Sequence, residues 1–150
     1  MRSYYMCKYY FNASHGFGED RGAAHSHTFT LVLYIGKRDR TDKADIKIVD
    51  EQMKRFLDRY EGSYLNELPE FEGENASIER MSDTFYEALK IQFRGTAFSL
   101  YQLDLSENPL SVYQVADRIL LPTLNMENSK SNYDMVLKQK KQLEQIYKRG

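Results

Sequence analysis

The chain has 150 residues, the usual size of one domain, and 41% of them are hydrophobic, enough for a core. Charged residues make up 29% and nearly balance, with a formal net charge of −1, so we expect neither a nucleic-acid nor a membrane-surface partner. The absence of a membrane-span-length apolar run, the polar N-terminus and the one cysteine lead us to expect a cytoplasmic protein.

The first half of the sequence predicts two strands and then a helix. Residues 3–15 are rich in tyrosine and phenylalanine and predict a strand, and a glycine-rich, charged loop separates them from a second strand over residues 25–36. Apolar residues then recur at helical spacing, which predicts a helix over about residues 51–60 with Asp50 as its N-cap and Gly62 as its stop signal.

The second half predicts another helix and two more strands. Residues 76–93 carry an apolar stripe at helical spacing, and residues 97–108 alternate, which puts Phe98, Leu100, Gln102 and Asp104 on one face of a strand. Residues 109–116 predict a short last strand. The order ββααββ predicts the α+β class, with an antiparallel four-stranded sheet covered on one face by two helices. The pattern weakens after that, so we divide the chain into a domain, 1–115, and a C-terminal extension, 116–150, that is partly helical.

All three histidines of the chain lie at the junction between the first two strands. His25 and His27 are two residues apart and share a strand face, and the short loop brings His15 back beside them. Three imidazoles converging from two strands are typical of a zinc site that keeps one position open for substrate. The alternative is that they are ordinary strand histidines.

Five sequence blocks resemble one enzyme family. "FNASH" followed by "HSHTFTLVLYIG" is similar to the Phe-x-Ala-x-His and His-Gly-His segments of the 6-pyruvoyl-tetrahydropterin and 6-carboxy-tetrahydropterin synthases. Similar blocks follow in the family's order: "IKIVDEQMKRFLD", "YLNEL", "NASIERMSDTFYEAL" and "LDLSENPLSVY".

This resemblance implies a tunnelling fold in which three subunits close a barrel and two rings stack, giving a homo-hexamer with active sites between subunits. It also implies Zn²⁺ on His15, His25 and His27 and a pterin-type small-molecule substrate. The resemblance places Glu107 on the carboxylate that anchors the pterin ring, and Glu79 on a second glutamate of the family, which we assign to substrate binding.

The sequence also departs from the family at the catalytic positions. Active members carry a cysteine shortly before the histidine pair, where this chain has Glu19, Asp20 and Arg21, and Cys7 lies on the wrong segment. The family's Asp-His pair is replaced by Glu61-Gly62. We therefore expect a zinc-dependent lyase acting on 7,8-dihydroneopterin or its triphosphate, with Glu19 or Asp20 as the base. The alternative is a zinc- and pterin-binding homologue without lyase activity.

Overall fold

A computed structural model of the chain describes residues 3–16, 24–73 and 75–118, together with the single positions 141 and 145. Strands and helices follow one another along the chain as β1 (Tyr5–His15), β2 (His25–Lys37), α1 (Lys47–Asp58), β3 (Ser63–Tyr64), α2 (Ile78–Phe93), β4 (Phe98–Asn108) and β5 (Ser111–Val115). Two 3₁₀ turns, Leu65–Glu67 and Pro69–Phe71, connect β3 to the segment before α2.

The strands form one sheet in the order β3-β1-β2-β4-β5. The four predicted strands are antiparallel neighbours, which confirms the α+β class and the order ββααββ. The prediction of four strands missed β3, which pairs in parallel with Ala13 and Ser14 of β1. A strand of two residues has no alternation to reveal it, because its pairing depends on a neighbour far away in the sequence.

The first helix begins earlier than its apolar spacing predicts. Its first residue is Lys47, whose backbone N–H donates to Oδ1 of Asp45 at 2.9 Å. The assignment of Asp50 as N-cap was wrong, because this residue already lies inside the helix, where Oδ1 accepts a hydrogen bond from the Tyr9 hydroxyl at 2.6 Å. Gly62, the predicted stop signal, has a φ of 72°, a conformation that glycine adopts without strain.

The predicted faces of β4 were wrong because this strand contains a β-bulge. The register between β2 and β4 shifts so that Tyr34 pairs with Gln102 whereas Ile35 pairs with Leu100. Tyr101 is therefore the extra residue of the bulge. The inward and outward alternation of side chains along β4 changes face at this residue, so one pattern holds before it and the opposite pattern holds after it. As a result Phe98 and Leu100 face the core together with Leu103 and Leu105, not together with Gln102 and Asp104.

The core lies between the two helices and one face of the sheet. Phe85 of α2 is at its centre, with ring centroids 4.6 Å from Tyr60, 5.2 Å from Phe56 and 5.9 Å from Phe11. The largest fully buried side chains come from β1, β2, α1, the two 3₁₀ turns, α2 and β4: Phe11, Phe29, Leu31, Leu33, Ile35, Met53, Leu65, Phe71, Met81, Phe85, Phe93 and Phe98.

The predicted boundary at residue 116 stays a prediction, since most of the extension lies outside the described residues. None of the described helices is long and apolar enough to cross a membrane.

Candidate metal centre

The ends of three neighbouring strands bring the candidate site together. In the β1–β2 ladder His15 pairs with His25 and Ala13 pairs with His27, so these side chains lie on one face of the sheet. Leu103 and Leu105 of β4 face the core, and Glu107 follows them with the same period of two. The helix-covered face therefore carries both the core and, at its end, the histidines with Glu107.

Two of the histidines converge with this glutamate. Among the described residues, the one group of side chains that could hold a metal ion consists of His15, His27 and Glu107, whose ligand atoms all lie within 4.8 Å of one another. Oε2 of Glu107 is 3.0 Å from Nε2 of His15 and 3.6 Å from Nε2 of His27. All three side chains are partly buried, with exposed fractions of 16%, 31% and 28% for His15, His27 and Glu107.

His15 is held from the opposite side by the backbone that leads into α2. Its Nδ1 lies 2.7 Å from the carbonyl oxygen of Ala76. A carbonyl only accepts, so Nδ1 carries the proton and donates, and in the neutral ring Nε2 keeps a free lone pair. This is the arrangement of a metal-binding histidine, in which a hydrogen bond to the second nitrogen fixes the tautomer and the ring orientation.

The residue after His15 is fixed as well. Asn66 accepts a hydrogen bond from the backbone N–H of Gly16 at 3.2 Å and donates to its carbonyl oxygen at 2.7 Å. The chain direction at the end of β1 is thus set by the side chain of a distant 3₁₀ turn.

The floor of the site is aromatic. The Phe29 ring centroid is 5.6 Å from that of His15, 5.7 Å from that of His27 and 5.0 Å from that of Phe11. Phe29 is fully buried, so one side of the cluster has no contact with water. Charges there interact more strongly than on an open surface.

His25 and Glu79 lie outside the convergent group. His25 is exposed, and its ring centroid is 6.4 Å from that of His27. Glu79 is an exposed residue in the first turn of α2. The predicted bases Glu19 and Asp20 lie outside the described residues.

Neither Cys7 nor Glu61 belongs to the group formed by His15, His27 and Glu107. Cys7 is on β1 eight residues before His15, roughly 26 Å along an extended strand, and burial raises the pKa of its thiol. The carboxylate of Glu61 accepts hydrogen bonds from the backbone N–H of Asn12 at 2.9 Å and from its side-chain amide at 3.0 Å. These two bonds lower the pKa of Glu61 and tie its side chain to β1.

The spacing of the histidines and of Glu107 was readable from the sequence, but two supporting groups were not. The Ala76 carbonyl is a backbone atom, which no side-chain motif reveals. Asn66 was visible as part of "YLNEL", although nothing in that block indicates that it binds the backbone of Gly16.

Comparison with known proteins identifies the family and the fold of this chain. The family model described as 6-pyruvoyl tetrahydropterin synthase matches residues 5–118 of this chain. No curated protein sequence is significantly similar to it.

Solved structures share the fold at low sequence identity. The 6-pyruvoyl tetrahydropterin synthase of Caenorhabditis elegans is 17% identical with a TM-score of 0.64, and the match covers 77% of this chain and 96% of that one. Two structures of the Plasmodium vivax synthase, in which a catalytic glutamate is replaced by cysteine or by alanine, are 15% identical with TM-scores of 0.55. Each of those matches covers 78% of this chain and 98% of the other.

Proposed function

Because this chain belongs to the 6-pyruvoyl tetrahydropterin synthase family, we propose that it is a zinc-dependent lyase of that type, acting on 7,8-dihydroneopterin or its triphosphate. The reaction would be triphosphate elimination or cleavage of a carbon–carbon bond in the side chain. The observation that carries the proposal is the convergence of His15, His27 and Glu107 at the end of the sheet face that holds the core.

These residues fit a zinc ion. Neutral imidazole nitrogen and carboxylate oxygen are both common zinc ligands, and Nε2 of His15 offers a lone pair because Nδ1 is bound to Ala76. Bound by the histidines, zinc would polarise the side-chain oxygens of the substrate and acidify the neighbouring C–H and O–H groups. His15, His25 and His27 would hold the metal, and the buried Phe29 would keep water from one side of it.

The pterin ring needs a carboxylate of its own. A carboxylate accepts two hydrogen bonds from the adjacent N–H groups of a 2-amino-pyrimidinone. The sequence resemblance assigns this role to Glu107, which lies beside the histidines, and assigns a second substrate-binding carboxylate to Glu79, in the first turn of α2. We therefore propose that Glu107 anchors the ring. Biopterin affinity should fall roughly 30-fold in Glu107→Gln; unchanged affinity would contradict this assignment.

The proton removed from the substrate would pass to Glu19 or Asp20. Both residues belong to the sequence segment between Gly16 and Ala24, which connects the strands that carry His15 and His27. In the related P. vivax synthase a glutamate is a catalytic residue. This supports a carboxylate base in a chain that lacks the family's cysteine.

One observation favours the second candidate, a zinc- and pterin-binding homologue without lyase activity. Glu61 stands where the resemblance expects the aspartate of the Asp-His pair, and Asn12 binds both of its oxygens. A carboxylate engaged in this way holds β1 and is not free to orient a catalytic partner, and Gly62 offers no imidazole.

We propose a homo-hexamer, a dimer of trimers, in the cytoplasm, with active sites between subunits. In the described part of the chain β3 pairs with only two residues of β1, so most of the outer edge of β1 is open. Open edges are a hazard that closure of a barrel removes. Light scattering at micromolar concentration should give a hexamer or trimer, and a monomer would contradict this assembly.

Product analysis after incubation of the zinc-loaded protein with 7,8-dihydroneopterin triphosphate distinguishes the two candidates. The lyase predicts turnover that Glu19→Gln or Asp20→Asn abolishes and that the exposed, distant Glu51→Gln leaves unchanged. Tight pterin binding without any product would overturn the lyase and support the binding protein.

A further inference from the structure

We propose a second ligand site, for a nucleoside phosphate, at the end of the sheet opposite to the histidines. A cavity of about 350 Å³ lies there between the start of β1 and the end of β2, and six described residues line it: Ser3, Tyr4, Tyr5, Gly36, Lys37 and Arg40. Tyr5 precedes His15 by ten residues, roughly 33 Å along an extended strand. The site is therefore separate from the candidate metal centre and does not depend on the proposed function.

The two basic side chains of this cavity have no negative charge paired with them. Nζ of Lys37 donates a hydrogen bond to the carbonyl oxygen of Asp42 at 2.8 Å, and Nη2 of Arg40 donates to the hydroxyl of Ser3. Both acceptors are neutral, and neither cation forms an ion pair in the part of the chain that the structure describes. A lysine has three N–H donors and an arginine has five, so both side chains retain donors for an anion.

The nearby acidic residues do not pair with these cations, because they form turns in the loop that follows β2. Oδ1 of Asp39, of Asp42 and of Asp45 each accepts a hydrogen bond from the backbone N–H two residues further on, at 2.7–2.9 Å. A carboxylate bound in this way shapes the backbone. None of the described residues that line the cavity is acidic, so the local charge favours a negatively charged ligand.

Two tyrosines supply the aromatic part of the site. Tyr4 is half-buried, and its ring packs against that of Tyr34 with 5.7 Å between the centroids, which holds it in place. Tyr5 is 47% exposed, so part of its ring is accessible to a ligand. Planar bases stack on such rings, and neighbouring cations bind the phosphate that the base carries.

The combination of charges and rings selects one class of ligand. A phosphate alone would leave the tyrosines without a contact, and a neutral aromatic molecule would leave Lys37 and Arg40 without an anion. A nucleoside phosphate satisfies both needs, with its base on Tyr5 and its phosphate between the two cations, because a guanidinium matches the geometry of a phosphate. The volume of the cavity is within the range of small-molecule sites.

Calorimetric titration with AMP tests this inference, with adenosine and inorganic phosphate as the two halves of the probe. We expect AMP to bind the parent chain more tightly than either half does. Arg40→Gln should weaken AMP binding by about tenfold or more, because it removes a charged donor to the phosphate. Tyr5→Leu should weaken it by about fivefold or more, because it removes the ring on which the base stacks.

Two variants outside the cavity are the matched controls. Arg55→Gln removes an exposed arginine of α1, and Tyr10→Leu removes a tyrosine of β1 that is 64% exposed. Both should bind AMP as the parent does. The inference is overturned if AMP does not bind at millimolar concentrations, if either cavity variant binds it like the parent, if the controls lose as much affinity, or if one half of the probe binds as tightly as AMP.

Discussion

Hydrogen bonds hold both the ring of His15 and the backbone that follows it. The Ala76 carbonyl holds the ring and Asn66 holds the backbone of the following Gly16, so the Nε2 atom has little freedom. Such supporting contacts commonly decide how well a ligand binds, because a loosely held histidine must be ordered when the metal enters.

Asn66→Ala removes both bonds to Gly16 and should lower Zn²⁺ affinity about tenfold without touching a ligand. The visible spectrum of Co²⁺ bound in place of zinc should be the same as in the parent protein, since the metal ligands are unchanged. Gln92→Ala is the control, because it also removes two side-chain hydrogen bonds, to Gln52, at a distance from the site. Equal metal affinity in Asn66→Ala and the control would show that Asn66 does not position His15.

A second prediction concerns Glu70. Two nitrogens of Arg59 donate to its two oxygens at 2.7 and 2.9 Å and the Tyr60 hydroxyl donates at 2.9 Å, which holds the pKa of Glu70 below its ordinary value. A carboxylate with a lowered pKa stabilises the fold above its unfolded pKa, about 4.3, and loses that contribution as the pH falls through the folded pKa.

Glu70→Gln should therefore reduce the free energy of unfolding by about 1 kcal/mol at pH 7, and the difference from the parent should shrink below about pH 4. Urea titrations between pH 7 and pH 3 measure this. A difference that stays constant over this range would mean that the ionised carboxylate is not what stabilises the parent.

At the scale of elements, α2 connects the core to the site. Ser77 accepts a hydrogen bond from the N–H of Arg80 and so caps the helix directly after Ala76, the residue that holds His15. Phe85, two turns later, packs between the sheet and α1. Packing of α2 against the sheet therefore also determines where the Ala76 carbonyl lies.

Phe85→Ala should cost about 3–5 kcal/mol of unfolding free energy, because it opens a cavity among four aromatic rings. Ile91→Ala, on the same helix but 63% exposed, should cost less than about 0.5 kcal/mol. Urea unfolding compares the two variants. Similar losses in both would contradict the central place of Phe85 in the core.

The sequence predicted the elements whose pattern is long enough to have a period. Alternation along β2 correctly put His25 and His27 on one face, and the short connection to β1 correctly brought His15 beside them. The bulge at Tyr101 could not be predicted, since it comes from the register between β2 and β4, and neither could β3, whose two residues depend on a distant partner. The start of α1 was missed because the apolar residues give a period but not the turn made by Asp45.

At the scale of the whole molecule, the family and fold were predictable because five weak motifs occur in a fixed order along most of the chain, and the family match over residues 5–118 confirms them. The details of the site were less predictable. Spacing along the strand assigns His25 and His27 to the same face. Only the three-dimensional packing shows that Glu107 lies close to His15 and His27, whereas His25 lies outside this group.

The metal content of the purified protein tests the central claim most directly. Elemental analysis should find about one zinc ion per chain in the parent protein. It should find none in His27→Ala, because this variant loses one of the proposed metal ligands. His27→Ala should still fold, since His27 is only partly buried. A parent protein that contains no zinc and binds none on titration, or a His27→Ala variant with parent-like zinc content, would contradict a metal centre at these histidines.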